Sequence, residues 1–283
     1  MPTATSEKSD PRLLSVGYRL TGSVVDALAV ADDVEKSSDD QLTRTVRSAL
    51  TALQAKADRK QTYVGQWLPE PVAIEVDSPH DPLASMVSGD GARLADLVAL
   101  ESLAPVTRVA YVMRDVFDND PTAVASALDV DLEEFHRLAD DGARRIATTP
   151  RPDCIEDHNE VVAQGVLALT LGDLESLEEL VDPAIEFIGD SNGTARTAAD
   201  RIVGSGIVLR LLSSMMNRYG SDMTRYTRPV LVNGEMGLLT DAGSSGESPV
   251  DRRITALAVS AGRIVSVYDL ANPEKLTGTP LFR

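Results

Sequence analysis

The spacing of apolar residues changes part-way along this chain, and that change constrains the fold more than any other feature. Through the first half they recur with the period of one helical face. SSDDQLTRTVRSALTALQAKADRK places Leu42, Val46, Ala49, Leu50 and Leu53 on one stripe. It opens on a Ser/Asp cluster and closes on basic residues, as the helix dipole favours. Residues 11–34 read as two helices hinged at Thr21-Gly22-Ser23, with Ser23 capping the second. The helical pattern resumes at Ala92 in ARLADLVALESLAPVTRVAYVMRDVF and breaks at Asn119-Asp120-Pro121. PTAVASALDV and DLEEFHRLADDGARRIA then form two short helices about a turn from Asp129 to Asp131, and Pro150 and Pro152 mark a boundary. Beyond it HNEVVAQGVLALTLGDLESLEELV reads as two helices parted at Gly172-Asp173, and AIEFIG as a strand before the SNGTARTAAD loop. RIVGSGIVLRLLSSMMNRYG reads as an amphipathic helix. The runs RYTRPVLVN, EMGLLTDA, RRITALAVS and RIVSVYDL are strand-like, the last two joined by a turn at Ala261-Gly262. Helices followed by a hairpin-rich antiparallel sheet predict an α+β multidomain chain that ends in a small cone-shaped α+β domain.

One segment fits neither period. YVGQWLPEP, Tyr63 to Pro71, holds the single Trp of the chain. Pro69 and Pro71 lack an N–H and push the residue before each toward extended geometry. Gly65 opens backbone angles closed to other residues. The segment therefore reads as a rigid, ordered crossing with Trp67 docked, followed by a loose polar linker to about Gly91.

Charge and cysteine usage exclude several function classes. A net charge of −17 disfavours non-specific binding to nucleic acid or anionic membrane. One cysteine, Cys154, rules out an intrachain disulfide framework and fits a reducing cytoplasm. That thiol stands in an acidic segment with no activating cation. With three scattered histidines, no metal site or cofactor is called for. The opening MPTATSEKSDPR lacks the apolar core of a signal peptide, and no apolar run approaches the about 20 residues of a membrane span. A cytoplasmic protein is expected.

Two constellations bear on chemistry. The helix pair from Pro121 to Ile146 has the proportions of a helix-turn-helix. Its second helix opens on Asp131, Glu133 and Glu134 and carries Asp140 and Asp141, opposed by Arg137, Arg144 and Arg145. Carboxylates repel phosphates, and residues 1–150, at a net −10, are more acidic than residues 151–283 at −7. In the second half Asp190, Asp222 and Asp241 lie near strand ends, with Tyr219, Tyr226 and His158 as partners for acid–base work. Spacing brings none of them into a shared pocket, so no catalytic residue is assigned. Met215, Met216, Leu211 and Leu212 read as core. Gly204 and Gly206 have the spacing of a phosphate loop's start but fall inside the expected helix.

Read together, these segments resemble one family. YVGQWLPEP is similar to the crossing that follows the first domain in extracytoplasmic-function (ECF) sigma factors with a C-terminal SnoaL-like domain, the SigJ type. LLSVGYRLTGSVVDA resembles the family's opening helices. LESLAPVTRVAYVMRDVFDND with AVASALDVDLEEFHRLADDGARRI resembles its promoter −35-reading domain. GDLESLEELVDPAIEFIGDSNG and the closing NPEKL resemble its SnoaL-like (NTF2-like) domain. The resemblance implies a shortened region-2-like helical domain at 1–62 and a connector at 63–91. It implies a region-4-like domain at 92–150 and the SnoaL-like domain at 151–283. It implies RNA polymerase core as partner and a C-terminal domain that regulates the sigma domains by docking. Trp67, Asp190, Gly193, Asn272, Pro273 and Lys275 are the implied interdomain residues. Arg137, Arg144 and Arg145 are the implied phosphate contacts, with His136 facing a base edge.

The chain also departs from the family. No aromatic residue lies between Tyr18 and Tyr63, where melting calls for stacking platforms, and several residues are missing before SDDQLTRTVRSAL. The family's DGGG loop is replaced by Asp190-Ser191-Asn192-Gly193. These departures and the acidic second helix argue against promoter DNA and leave two alternatives open. One is a degenerate paralogue that binds a protein or senses a small ligand in its C-terminal cavity. The other is an isomerase- or hydrolase-type enzyme in that cavity.

Overall fold

The computed structural model describes residues 10–38, 40–76, 85–87, 91–246 and 248–277. Most of the opening dozen residues and most of the expected linker to Gly91 lie outside those residues. Described residues 10–62 and 85–149 form one compact unit, and 63–76 with 150–277 form a second.

The first unit is helical because each helix has a start and a stop written locally. Asp10 opens α1 (Pro11–Thr21) by accepting the Arg12 N–H at 2.8 Å. Gly22, at φ 67°, turns the chain, and Ser23 Oγ caps α2 (Val24–Glu35) through the Asp26 N–H at 3.1 Å. Asp40 caps α3 (Gln41–Gln61), and its buried stripe includes the expected Val46, Ala49 and Leu53. The run from Ala92 is not one helix. Pro105 has no N–H to continue a ladder, so the chain breaks after α4 (Leu94–Leu100) and restarts with Pro105 at the first position of α5 (Pro105–Tyr111). A π-turn over Val112–Val116 follows. Asp120 and Asp131 cap α6 (Pro121–Leu128) and α7 (Leu132–Ile146), with Asp129 left-handed between them. Helix α3 packs on α5 and α6, and α5 on α7. Gly142 permits that last approach, since a Cβ there would lie 2.7 Å from Tyr111 Cβ.

In the second unit, Cys154 caps α8 (Ile155–Leu171), left-handed Gly172 ends it, and Asp173 caps α9 (Leu174–Leu180). The remaining elements are β2 (Val181–Asp190), β3 (Ile202–Val203), α10 (Ser205–Tyr219), α11 (Ser221–Tyr226), β4 (Thr227–Val232) and β5 (Glu235–Thr240). They are followed by β6 (Gly243–Ser245), β7 (Ser248–Val250), β8 (Arg253–Ser260), β9 (Arg263–Leu270) and α12 (Pro273–Leu276). A short strand from the Trp segment, β1 (Ala73–Ile74), completes a seven-stranded sheet in the order β1-β4-β5-β8-β9-β2-β3. The expected long helix at RIVGSGIV is corrected: Ile202 and Val203 pair with Phe187 and Glu186, and Gly204, at φ 103°, turns the chain into α10. The β6–β7 hairpin was not expected from the sequence. Val162, Leu177, Ile185, Phe187, Val208, Ile264 and Val267 form the core between the helices and the sheet. Among the described residues, no helix is long and apolar enough to cross a membrane.

Candidate functional site

Strands β2 and β9 run parallel in a register that sets Asp190 beside Leu270. Both strands end there, and the Asp190 carbonyl accepts the N–H groups of Ala271 (2.8 Å) and Asn272 (3.0 Å). Asn272 then caps α12 through the Glu274 N–H at 3.0 Å, with Pro273 at the first helical position. This short helix carries Lys275 inward. The Lys275 Nζ donates to Asp190 Oδ2 and to the Leu68 carbonyl, both at 2.6 Å, and lies 3.6 Å from the Trp67 ring centroid. Asp190 and Lys275 are 0% and 5% exposed, so the pair is out of water and its attraction is little screened.

The extended segment supplies the rest of the site. Tyr63 donates its hydroxyl to Asp190 Oδ1 and accepts from Asn272 Nδ2 at 2.7 Å, while Leu68 N–H donates to Asp190 Oδ2 at 2.7 Å. Burial, followed by the hydrogen bond to Asp190, raises the Tyr63 phenol above its usual range. The Tyr63 and Trp67 rings meet at 4.6 Å. At one end of the segment, Val64 N–H donates to Asn192 Oδ1 at 3.1 Å. At the other, Val72 and Asn233 exchange two bonds of 3.0 and 2.8 Å before β1 joins β4. The backbone is thus held at Val64, Leu68 and Val72, and Leu68 and Val72 are buried.

The replaced loop has a physical reading. Asn192 holds φ 49°, a left-handed angle that Asn tolerates better than most residues, and its amide adds the bond to Val64. Gly193, at φ 71°, faces Val64, and a Cβ there would come within 3.2 Å of Val64 Cγ1. Trp67, Asp190, Gly193, Asn272, Pro273 and Lys275, scattered along the sequence, therefore lie at one place in the second unit. Tyr63 and Asn192 stand inside the YVGQWLPEP and GDSNG motifs, but no local signal marks either as part of the site. Asn233 carried no signal beyond a turn before β5.

The nucleic-acid candidates sit otherwise. His136, Arg137, Arg144 and Arg145 are exposed on α7. Arg137 forks onto Glu134 at 2.6 and 2.5 Å, and Arg144 and Arg145 reach Asp141 at 3.4 and 3.0 Å. His136 lies edge-on to Phe135. Each arginine is answered by a carboxylate of its own helix.

The acid–base candidates do not converge. Asp241 is 45% exposed and paired with Arg228 at 2.9 Å. Tyr226 donates to the Ser244 carbonyl at 3.3 Å, and buried His158 faces Glu235 at 3.6 Å. The Asp222 side chain lies outside what the structure describes. Both Asp190 oxygens accept hydrogen bonds from the Trp segment and Lys275, so this carboxylate fastens a peptide segment.

No protein-family model matches the chain. It is 37% identical to the ECF RNA polymerase sigma factor SigJ of Mycobacterium tuberculosis, covering 99% of this chain and 95% of that one. It belongs to the SigJ-type ECF sigma factors. The crystal structure of the same M. tuberculosis protein superposes with a TM-score of 0.86 at 37% identity over 96% of both chains. A second relative, the probable ECF sigma factor SigI of M. tuberculosis, is 24% identical over 93% of this chain and 91% of its own length. The architecture is the expected α+β multidomain one, sigma-like helices followed by a SnoaL-like part, and the chain is a sigma-factor-like transcription regulator.

Proposed function

We propose that this regulator acts with RNA polymerase core through its helical unit. In this reading the SnoaL-like unit governs the sigma-like helices by clasping the segment that joins residues 10–62 to residues 91–149. The observation that carries the proposal is the buried Lys275–Asp190 pair closed over Trp67 and Leu68. Release of the connector would take from Asp190 its Tyr63 and Leu68 donors and uncover the Lys275–Asp190 pair to water, so the bound and released states differ in a carboxylate's hydrogen bonds and in the burial of two charges. Trp67, Asp190, Gly193, Asn272, Pro273 and Lys275 are the regulatory residues in this reading. The test is core-polymerase affinity and promoter-dependent transcription for the wild type and Lys275→Met. A severalfold change in either measurement for a folded variant is expected. Equal affinity and equal transcription would end the regulatory claim.

A second reading is favoured by the arginines of α7. Because Arg137, Arg144 and Arg145 are engaged by Glu134 and Asp141, phosphate contact requires breaking those pairs beside a field of carboxylates. In this reading the chain binds polymerase without reading a promoter. An electrophoretic shift at low salt separates the two: a shift supports promoter contact by these arginines, and none supports the second reading.

A further inference from the structure

The outer side of the helical hairpin α8–α9 carries an apolar stripe in contact with solvent. Leu167 and Leu171, 59% and 72% exposed, stand four residues apart on α8, so their side chains neighbour each other on one face. Left-handed Gly172 then turns the chain, and Leu174, 43% exposed, opens α9 beside them. The opposite face of α8 buries Val162, Gly165 and Ala168, so the last turns of this helix are apolar on both sides. A single exposed leucine needs no explanation. Three within the eight residues from 167 to 174 form a patch, and contiguous apolar surface of this kind marks a contact.

The charges around the patch are of one sign. Residues 155–180 hold seven carboxylates and no Lys or Arg. At one end of the stripe, Glu160 and Gln164 share the Leu167–Leu171 face, and Gln164 Nε2 donates to Glu160 Oε1 at 3.1 Å. At the other end stand Asp173, which caps α9 and bonds the Ser176 hydroxyl at 2.7 Å, and Glu175, both exposed. At 1.5 Å per residue, Glu160 lies about 17 Å along α8 from Leu171. The stripe is therefore closed at both ends by negative charge.

We infer that this face docks a cationic amphipathic helix of a partner protein. Its apolar stripe lies on Leu167, Leu171 and Leu174, and its basic side chains, about three turns apart, meet Glu160 at one end and Asp173 and Glu175 at the other. The stripe follows a helix axis, and another helix covers such a ridge with matched spacing. A second copy of this chain does not fit, because a two-fold pairing would set the carboxylates of one copy against those of the other. An anionic lipid surface is repelled for the same reason. The inference does not depend on the polymerase reading, since α8 and α9 belong to the second unit alone.

The test uses the full chain and a fluorescein-labelled synthetic peptide of about 18 residues, long enough to form a helix in water, with Leu along one stripe and Lys on its flanks. Anisotropy titrations compare it with a peptide of the same composition whose order is shuffled to destroy the stripe. The striped peptide is expected to bind about tenfold more tightly than the shuffled one. Leu167→Ser combined with Leu171→Ser should remove that advantage, and Glu160→Lys should weaken the striped peptide severalfold. Both leucines are exposed, so the double variant is expected to fold, as circular dichroism and Trp67 emission verify. If it fails to fold, Leu171→Ser alone decides by the same titration. Equal binding of the two peptides, an advantage that survives the leucine variants, or no binding of either peptide would overturn the inference. Unchanged affinity in Glu160→Lys would overturn the charge match. Sedimentation velocity of the chain alone covers the remaining occupant: a dimer that the leucine variants abolish would assign the face to a second copy and overturn the proposal.

Discussion

Replacing Lys275 by Met removes one charge from the clasp while keeping most of the side chain's length. The variant leaves Asp190, which has no exposed surface, with Tyr63 and Leu68 as its remaining donors. It also removes the donor to the Leu68 carbonyl and the ammonium over the Trp67 ring. Breaking a buried pair by deleting one partner costs roughly 3–5 kcal/mol, a figure that already contains the cation–π share of about 0.5–2 kcal/mol. With a urea slope of about 2 kcal/mol/M, a loss of about 4 kcal/mol lowers the unfolding midpoint of the SnoaL-like unit by about 2 M. Trp67 is the only indole in the chain, so its emission reports the clasp directly. The double variant Asp190→Asn with Lys275→Met should cost less than the two single changes added, because neither partner is then stranded. A midpoint lowered by less than about 0.5 M, with unchanged Trp67 emission, would place the pair with exposed salt bridges and refute the reasoning.

Gly193→Val forces a β-branched residue to φ 71° against Val64. A loss of about 1–3 kcal/mol by the same denaturation assay is expected. Alkaline titration should loosen the clasp. The Tyr63 phenol is raised in the folded state, so its contribution is full below the ordinary phenol range of about 10 and is lost as pH climbs through its folded value. A shift of Trp67 emission above pH 10 that Tyr63→Phe removes checks this. Lys56 carries the opposite sign: its folded value of about 7 lies below 10.5, so the unfolded chain binds the extra proton and the helical unit gains stability as pH rises from about 7 to 10.5. Exchange in α3 corrected for intrinsic rates should slow over that window, and Lys56→Met should flatten the trend. Replacing Arg144 and Arg145 by Ala should cut the salt slope of any DNA binding by about 2, read from shift assays at several salt concentrations.

Much of this was legible because it is local. The Gly22 hinge, the Ser23 cap, the Gly172-Asp173 break and the Ala261-Gly262 turn each follow from one or two residues with a specific backbone need. The pairing of Arg137 with Glu134 and of Arg145 with Asp141 was also readable, from spacings of three and four on one helix. The clasp is different. Residues 63–72, 190–193 and 272–275 meet because β2 and β9 run parallel and end together, and no local pattern announces that register. The family motifs named its members without saying that one carboxylate would take three donors from two distant segments. Asn192, a departure from the family's glycine, holds a left-handed angle and accepts the Val64 N–H through its side-chain oxygen. The break before Pro105 was missed because apolar spacing continues across it.

The most direct measurement mixes the purified chain with RNA polymerase core and follows both by size-exclusion chromatography, with the unsupplemented core as reference. The expected result is co-elution of the chain with core, altered by Lys275→Met. Separate elution at micromolar concentration, with Trp67 emission showing the clasp intact, would contradict a sigma factor acting on polymerase.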